Sequence, residues 1–430
     1  MTAASPLAAA RAALAAGDQP GAEAILAAFV AEEFALPVAA LSIRRDGYSL
    51  NSVNGFVDLA DGRRFFFKFH QEEGEEATVE EYYRAELLAE AGYPVDRPAY
   101  VCRAVGRQIL LYEARETPRF ADLCKAAEFA ADPATLRPLV EAQMRLDRLV
   151  GERNVATLHG AEAADYAAEP LLQLFVWRLV DDKADARLGG RAQRFYSGRS
   201  LVFPGLSLPA EELRRLTWRI NGRDYPATLD GLFADALAQL RPQPAGRYPA
   251  VVAHGDAHNA NVWYDDGQLS WFDPAFAGAH VPALLAEVKA TFHNIFAHPL
   301  WLYHPQEADA RLAASARREG DVLVVAHDWA PTPLRQAFLD SKAALYWRPV
   351  LAALHGRGML PADWRQTVRL ALFCCPTLVM NLSAGCGMGA AIHTPKTSLV
   401  GLSIAVMCGC APADGDDLVS RFLDSVDPAA

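Results

Sequence analysis

Residues 251–278 read VVAHGDAHNANVWYDDGQLSWFDPAFAG. Within them Asp256 follows His254 and Gly255, Asn261 comes five residues after Asp256, and Asp273 twelve residues after that. These are the parts that phosphoryl transfer uses: one carboxylate to take a hydroxyl proton, and an amide oxygen with a second carboxylate as hard ligands for Mg2+. Asp256 is the candidate base, and Asn261 and Asp273 are the candidate metal ligands. A rival chemistry is a metal cluster of the hydrolase kind built on His254, Asp256 and His258, with His280, His293 or His298 completing it. That reading leaves the spacing of Asn261 and Asp273 without a purpose.

The elements that must position these groups are legible around them. Residues 250–253 are a short apolar run. Residues 261–264 and 269–272 are aromatic and β-branched, and they flank the turn Asp265-Asp266-Gly267. This predicts a hairpin with Asp256 in the loop before it and Asp273 at its exit, which folds the two carboxylates back toward each other. Nearer the start of the chain, residues 41–45, 56–59 and 64–69 read as strands, with a loop of small and polar residues at 46–55. In that loop Ser49, Asn51 and Ser52 are candidates to present hydroxyls and backbone N–H groups to phosphates. Lys68 sits in an aromatic run, where a charge is costly without a partner.

HGDxHxxN, a strand-turn-strand and a following Asp together resemble the aminoglycoside phosphotransferase / choline kinase family, whose fold is similar to that of protein kinases. The resemblance implies an α+β, protein-kinase-like, two-lobed fold with a small antiparallel β N-lobe and a larger, mainly helical C-lobe. It implies ATP or GTP as donor, Mg2+ as cofactor, and a small-molecule hydroxyl as acceptor. Asp256 is then the base, Asn261 and Asp273 hold the metal, Lys68 contacts the α- and β-phosphates, and His254 and His258 orient the loop. The lysine needs a carboxylate on the next helix, predicted over 78–91 with a Gly92-Tyr93-Pro94 stop. Counted back from the Gly-x-Pro-Val ending, Glu81 falls at the ion-pair position, with Glu86 as the alternative. Residues 108–114 resemble the last small-lobe strand, with backbone groups of 112–115 reading an adenine edge. The chain departs from the family after Asp273, where Pro274-Ala275 replaces the usual aromatic and glycine or acidic residues. Proline disfavours a helical conformation at the residue before it, so Asp273 is expected to be extended.

The expected organisation is a helical extension at 1–36, a nucleotide-binding lobe at 37–115, and a C-lobe at 116–430 with an insertion at 182–247. The first part of that insertion is rich in Gly and Arg. Arg187, Arg191, Arg194 and Arg199 either solvate the loop or clamp an anionic substrate group. Residues 286–303 read as a helix running into an aromatic segment, where Glu287, Lys289, His293 and Asn294 are candidates to face the acceptor. Residues 333–410 read as helical, with Gly385-Cys386-Gly387-Met388-Gly389 as a tight helix junction.

A net charge of −11 argues against nucleic acid as a partner. The seven cysteines form no CxxC pair, so they read as reduced thiols of a cytoplasmic protein. The most apolar later segment, 368–380, is short and contains Pro376, which makes it a buried helix rather than a membrane span. Two further alternatives to the small-molecule kinase are a protein kinase, which lacks an Ala-Pro-Glu-like anchor here, and a non-catalytic nucleotide-binding module. The acceptor's identity and the oligomeric state have no signature in the sequence.

Overall fold

The computed structural model describes residues 5–44, 52–70, 84–104, 106–130, 132–185, 187–388 and 391–429. The chain divides into two units. The first comprises residues 1–86, 95–117 and 272–275; the second comprises 87–94, 118–271 and 276–430.

In the first unit, α1 (Pro6–Ala15) and α2 (Gln19–Phe34) precede five strands: β1 (Val38–Arg44), β2 (Ser52–Leu59), β3 (Arg64–His70), β4 (Tyr100–Cys102) and β5 (Ile109–Glu113). They form one antiparallel sheet in the order β1-β2-β3-β5-β4. The alternation in β3 decides what the sheet presents. Phe65, Phe67 and Phe69 point to one face and are buried with Leu26, Phe29 and Val30 of α2 and Val57 of β2. Burying one such ring contributes about 1.5–3 kcal/mol. A one-residue slip would expose all three rings, so it is disfavoured by roughly 4–9 kcal/mol. Lys68 therefore lies on the other face, opposite Leu110 of β5. There Leu110 packs with Val101, Tyr112 and Ala275.

The helices of residues 1–36 share this core, since Leu7 and Ala10 of α1 are buried in it. The Asp18 side chain caps α2 by accepting from the Gly21 N–H at 2.9 Å. Of the helix predicted over 78–91, the described part is α3 (Ala85–Glu90), and the chain leaves it through Gly92 at φ +84°.

The second unit begins with α4 (Phe120–Ala130), α5 (Pro133–Thr157), β6 (His159–Glu162) and α6 (Ala163–Ala168). Two tight 3-10 turns follow, Pro170–Leu174 and Val176–Arg178. Next come α7 (Gly190–Tyr196), β7 (Ser200–Phe203), β8 (Leu206–Pro209), α8 (Ala210–Leu213), β9 (Thr217–Ile220), β10 (Arg223–Tyr225) and α9 (Leu229–Leu240). Then β11 (Arg247–Ala253), β12 (Val262–Asp265), β13 (Gln268–Trp271) and β14 (Gly278–Pro282) lead to α10 (Val288–Thr291). A widened π turn, Phe292–Ala297, joins α10 to α11 (His298–Tyr303). The remainder is α12 (Pro305–Asp309), β15 (Ala314–Glu319), β16 (Val322–His327), α13 (Pro333–Lys342), α14 (Arg348–Gly356), α15 (Trp364–Val379), β17 (Gly387–Met388), β18 (Ala391–Ile392), α16 (Pro395–Gly409) and α17 (Leu418–Ser425).

The 182–247 segment, expected as an insertion, contains α7, α8 and α9, the β7–β8 hairpin, and strands β9 and β10. These two strands join β16 and β15 in a four-stranded sheet of order β10-β9-β16-β15. The Asn221-Gly222 turn, with φ +49° and +81°, is the hairpin signal that the sequence does carry. The glycine-rich stretch near 387 forms the β17–β18 ribbon between α15 and α16, and Gly389 lies outside the described residues. α15 is the buried helix the sequence predicts, with residues 368–378 all in the core. Among the described residues, no helix is long and apolar enough to cross a membrane.

Candidate active site

The predicted hairpin is present. β12 and β13 pair from Val262↔Trp271 to Asp265↔Gln268, and the turn between them holds Asp266 at φ +44° and Gly267 at φ +81°. Upstream, β11 is the middle strand of β14-β11-β6 and delivers the chain into the loop that carries Asp256. Gly255 is required there. Its φ is +77°, and a Cβ at that position would lie 2.8 Å from the Phe276 carbonyl oxygen. His254 is fully buried, with its ring edge-on to Trp271 at 5.2 Å between centroids. Its Nδ1 accepts the Asp256 N–H at 3.3 Å. Asn261 donates from Nδ2 to the Asp256 carbonyl at 3.0 Å, so the asparagine is fixed to the residue it accompanies in sequence.

The Asp256 carboxylate is 14% exposed, with Lys289 Nζ 3.1 Å from its Oδ1. His258 Nε2 lies 3.6 Å from the same oxygen. Burial pushes this carboxyl up. Lys289 outweighs it, with His258 and His254 adding, and the net effect holds Asp256 below the usual carboxylate value. Lys289 comes from α10, and the π turn after it brings the next polar residues to the same loop. His293 stacks on His258 at 5.0 Å, and its Nδ1 shares a hydrogen bond with the Tyr303 hydroxyl at 2.8 Å. Asn294 Oδ1 accepts from the Asn259 N–H at 2.8 Å. Burial, then Lys289, keeps the His293 imidazole neutral.

Glu287 turns away from the loop. It pairs with Lys342 at 2.8 Å, and Lys342 also meets Asp147 at 2.6 Å, all three at 4% exposure or less. Thr291 Oγ1 accepts from the Trp347 indole at 3.0 Å. These contacts anchor α10 and so fix where Lys289 stands. Lys289 and His293 were only two of four candidates from sequence, and their contact with Asp256 and His258 has no local signature. Arg178, in the turn that precedes the insertion and with its Nη1 buried, was not among the sequence candidates. Burial and the neighbouring Arg191 lower its pKa to about 9, against the pull of Asp256.

In the first unit, Lys68 Nζ forms an ion pair with Asp273 Oδ1 at 2.5 Å, with side chains 14% and 32% exposed. The sequence proposed Glu81 as the partner of Lys68. Glu81, Ser49 and Asn51 lie outside the described residues, and Ser52 is the first residue of β2, in register with His70. The alternative, Glu86, is exposed and pairs with Arg97 at 3.3 Å. Asp273 is not extended as Pro274 led us to expect. Its φ is +56°, a left-handed conformation that an aspartate tolerates better than most side chains but still at a cost. The ion pair to Lys68 and the packing of Ala275 on Leu110 hold the segment where local preference would not.

The residues fit Mg2+ by chemistry. Asn261 spends its Nδ2 on a carbonyl and Asp273 its Oδ1 on Lys68, which leaves Asn261 Oδ1 and Asp273 Oδ2 as hard oxygen donors. The rival cluster does not assemble. His280 Nδ1 is bound to His159 Nε2 at 2.9 Å, and His293 Nδ1 is engaged by Tyr303. Among the described residues, no group of three or more His, Cys, Asp or Glu side chains is arranged to hold a metal ion. Of the four insertion arginines, Arg187 is exposed beside Asp185, and Arg194 is exposed beside Asp181. Arg199 donates to Cys386 Sγ and the Arg194 carbonyl. Arg191 donates to the carbonyls of Leu378 and Val379 at the end of α15.

No family model matches the chain, and no curated protein matches it. Among solved structures, it is similar to a proposed fructosamine-3-kinase from Thermobifida fusca YX-ER1, at 17% identity and a TM-score of 0.37, over 89% of this chain and 98% of that one. It is similar to the amicoumacin kinase hAmiN in complex with AMP-PNP, Ca2+ and Ami, at 13% identity and a TM-score of 0.38, over 82% and 84%. It is also similar to APH(2")-IIia in its complex with GDP and kanamycin, at 10% identity and a TM-score of 0.39, over 81% and 88%. These neighbours are small-molecule kinases, the group that the HGDxHxxN motif resembles. Likeness of this degree assigns no role to any residue, so function is read from the side chains.

Proposed function

We propose that this chain is a phosphotransferase that moves the γ-phosphoryl group of ATP or GTP to a hydroxyl of a small molecule. The observation that carries this reading is the state of Asp256: a buried carboxylate held ionised by Lys289 and tied by its own carbonyl to Asn261. Such a group is a base for a proton delivered to it, and it needs no proton loss of its own to act at neutral pH. Asp256 takes the acceptor's hydroxyl proton as the acceptor oxygen bonds to the γ-phosphorus. The bond from that phosphorus to the bridging oxygen breaks, and the nucleoside diphosphate leaves.

The remaining roles follow the same logic. Lys68 neutralises the α- and β-phosphates, and Glu81 is its proposed second partner beside Asp273. Ser49 and Asn51, between β1 and β2, and Ser52, the first residue of β2, are proposed to meet the phosphates. Asn261 and Asp273 would hold Mg2+, which supplies charge neutralisation on the transferring phosphoryl group. The apolar face of Leu110, Val101 and Tyr112 beside Lys68 suits a purine ring. The test is nucleoside diphosphate release with Mg2+ and ATP or GTP across a panel of aminoglycosides, amino alcohols, sugars and hydroxy acids, with Asp256→Asn as control. Acceptor-dependent release that the variant loses supports the proposal; release that persists unchanged in the variant removes Asp256 from its role.

A further inference from the structure

Three contacts tie the turn Phe292–Ala297 and the helix before it to the loop of Asp256. Lys289 meets Asp256 Oδ1 at 3.1 Å, the His293 ring stacks on His258, and Asn294 Oδ1 accepts the Asn259 N–H at 2.8 Å. A regular α-helix would not present all three, because residue i+5 stands about 140° round from residue i. The π turn, with its i→i+5 bonds, brings Asn294 back to the side of Lys289. Asn259 is a decisive place to hold. It opens the 3-10 turn Asn259–Asn261, whose last residue bonds the Asp256 carbonyl through its Nδ2. Fixing the Asn259 N–H therefore fixes the segment that joins the proposed base to Asn261.

The widened turn needs a brace of its own. In i→i+5 bonding the Asn294 carbonyl would take its bond from residue 299, which is a proline and has no N–H. Arg335 of α13 supplies the donor, with Nη1 2.8 Å from the Asn294 carbonyl oxygen. The rest of that guanidinium is spent on Glu128 of α4: Nε donates to Oε1 at 3.0 Å and Nη2 to Oε2 at 2.7 Å. The two side chains are 1% and 5% exposed, so little water competes for these bonds. A planar fork bound at two points has one orientation, and its remaining nitrogen is aimed by it. Asn294, itself buried, thus receives Arg335 on its carbonyl and holds the loop with its side chain.

We infer that Asn294 is a positioning residue for the phosphotransfer site, braced by the Arg335–Glu128 pair, and that the π turn is what delivers it to the loop. This rests on the phosphotransfer reading and adds to it residues that touch neither substrate nor metal. Asn294 acts through the Asn259 N–H. Without that bond the distance from Asp256 to the attacked phosphorus is no longer set, and a misplacement of about 1 Å lowers a rate by about 10²-fold. The affinity for Mg2+–nucleotide, which Lys68 and Asp273 also support, should fall by far less.

The test uses the full chain and begins with hydrogen exchange in the absence of ligand. In Asn294→Leu, which keeps the size and loses the acceptor, the amides of 256–261 should exchange about 10-fold faster, while those of α5 and α15 keep their wild-type rates. With Mg2+, ATP and the same acceptor panel, kcat should fall by about 10²-fold, and calorimetry with Mg2+–AMP-PNP should show the smaller change. Asn294→Asp restores an oxygen to the Asn259 N–H and should recover part of both the protection and the rate. Arg335→Lys, with one ammonium in place of the fork, should give a smaller loss of the same kind. Melting curves check the fold of each variant, and Asn294→Ala serves with the same readouts if the leucine variant does not fold. Unchanged exchange at 256–261, faster exchange there with unchanged kcat, or equal loosening throughout the second unit would each overturn the inference. So would a loss carried wholly by Mg2+–AMP-PNP affinity, or an Asn294→Asp variant that recovers nothing. All of these leave the phosphotransfer proposal standing. Failure of wild-type protein to bind Mg2+–AMP-PNP would sink that proposal, and the inference with it.

Discussion

The two carboxylates on either side of the β12–β13 hairpin are held in opposite ways. Asp273 has one short ion pair, to Lys68, in a setting open enough for water to screen it, and its cost is conformational, a φ of +56°. Asp256 has an ordinary position in its loop but a crowded electrostatic setting, with Lys289, His258 and His254 opposing its burial. The difference teaches that the first is set by backbone placement and the second by charge. Substitutions should therefore fail in different observables: binding for Asp273, turnover and its pH dependence for Asp256.

The largest expected effect is on the base. Asp256→Asn keeps shape and loses proton acceptance, so turnover should fall by about 10²- to 10⁴-fold with nucleotide affinity unchanged, as steady-state rates and calorimetry would report. Next is the anchor of α10. Lys342→Met leaves Asp147 and Glu287 buried without their cation and should cost about 3–5 kcal/mol, read from denaturant unfolding; unchanged stability would mean that Lys289 is positioned by something else. Asp273→Asn tolerates the positive φ and removes only the charge. The affinity for Mg2+–AMP-PNP should drop by about 10- to 100-fold, while affinity unchanged within error would remove Asp273 from the metal.

The pH dependence sharpens the contrast. Because the Asp256 pKa lies below its ordinary value, the base stays ionised as pH falls, and kcat/KM should lose its acid limb only below that value. In Lys289→Met the burial effect prevails, the carboxyl pKa rises, and the acid limb should move to higher pH. A limb that stays in place would show that Lys289 does not tune the base. The smallest effect belongs to Glu86→Gln, whose exposed pair with Arg97 should contribute under about 0.5 kcal/mol and should leave nucleotide affinity alone.

What was legible in the sequence is what local rules govern. The Asp-Gly turn predicts the β12–β13 hairpin, and the alternation RFFFKFH puts three phenylalanines inward and Lys68 on the opposite face. Asp256 and Asn261, singled out together by their spacing, are joined by a hydrogen bond that the sequence did not anticipate. What was not legible depends on contacts distant in sequence. Arg178 has no motif around it, and its relation to Asp256 spans 78 residues of chain. Lys289 gains its meaning only once the π turn and the Lys342 anchor set its helix against the loop. At Asp273 tertiary contacts override the local preference set by Pro274. The Asn221-Gly222 turn is a local signal, but the sheet that its β9–β10 hairpin joins is continued by β16, which lies far along the chain.

The measurement that bears most directly on the central claim is calorimetry of Mg2+–AMP-PNP binding paired with acceptor-dependent turnover, in wild-type protein and in Asp256→Asn. The account predicts equal nucleotide affinity in both proteins and turnover in the wild type alone. Equal turnover in both, or a wild type that binds no Mg2+–nucleotide, would contradict it.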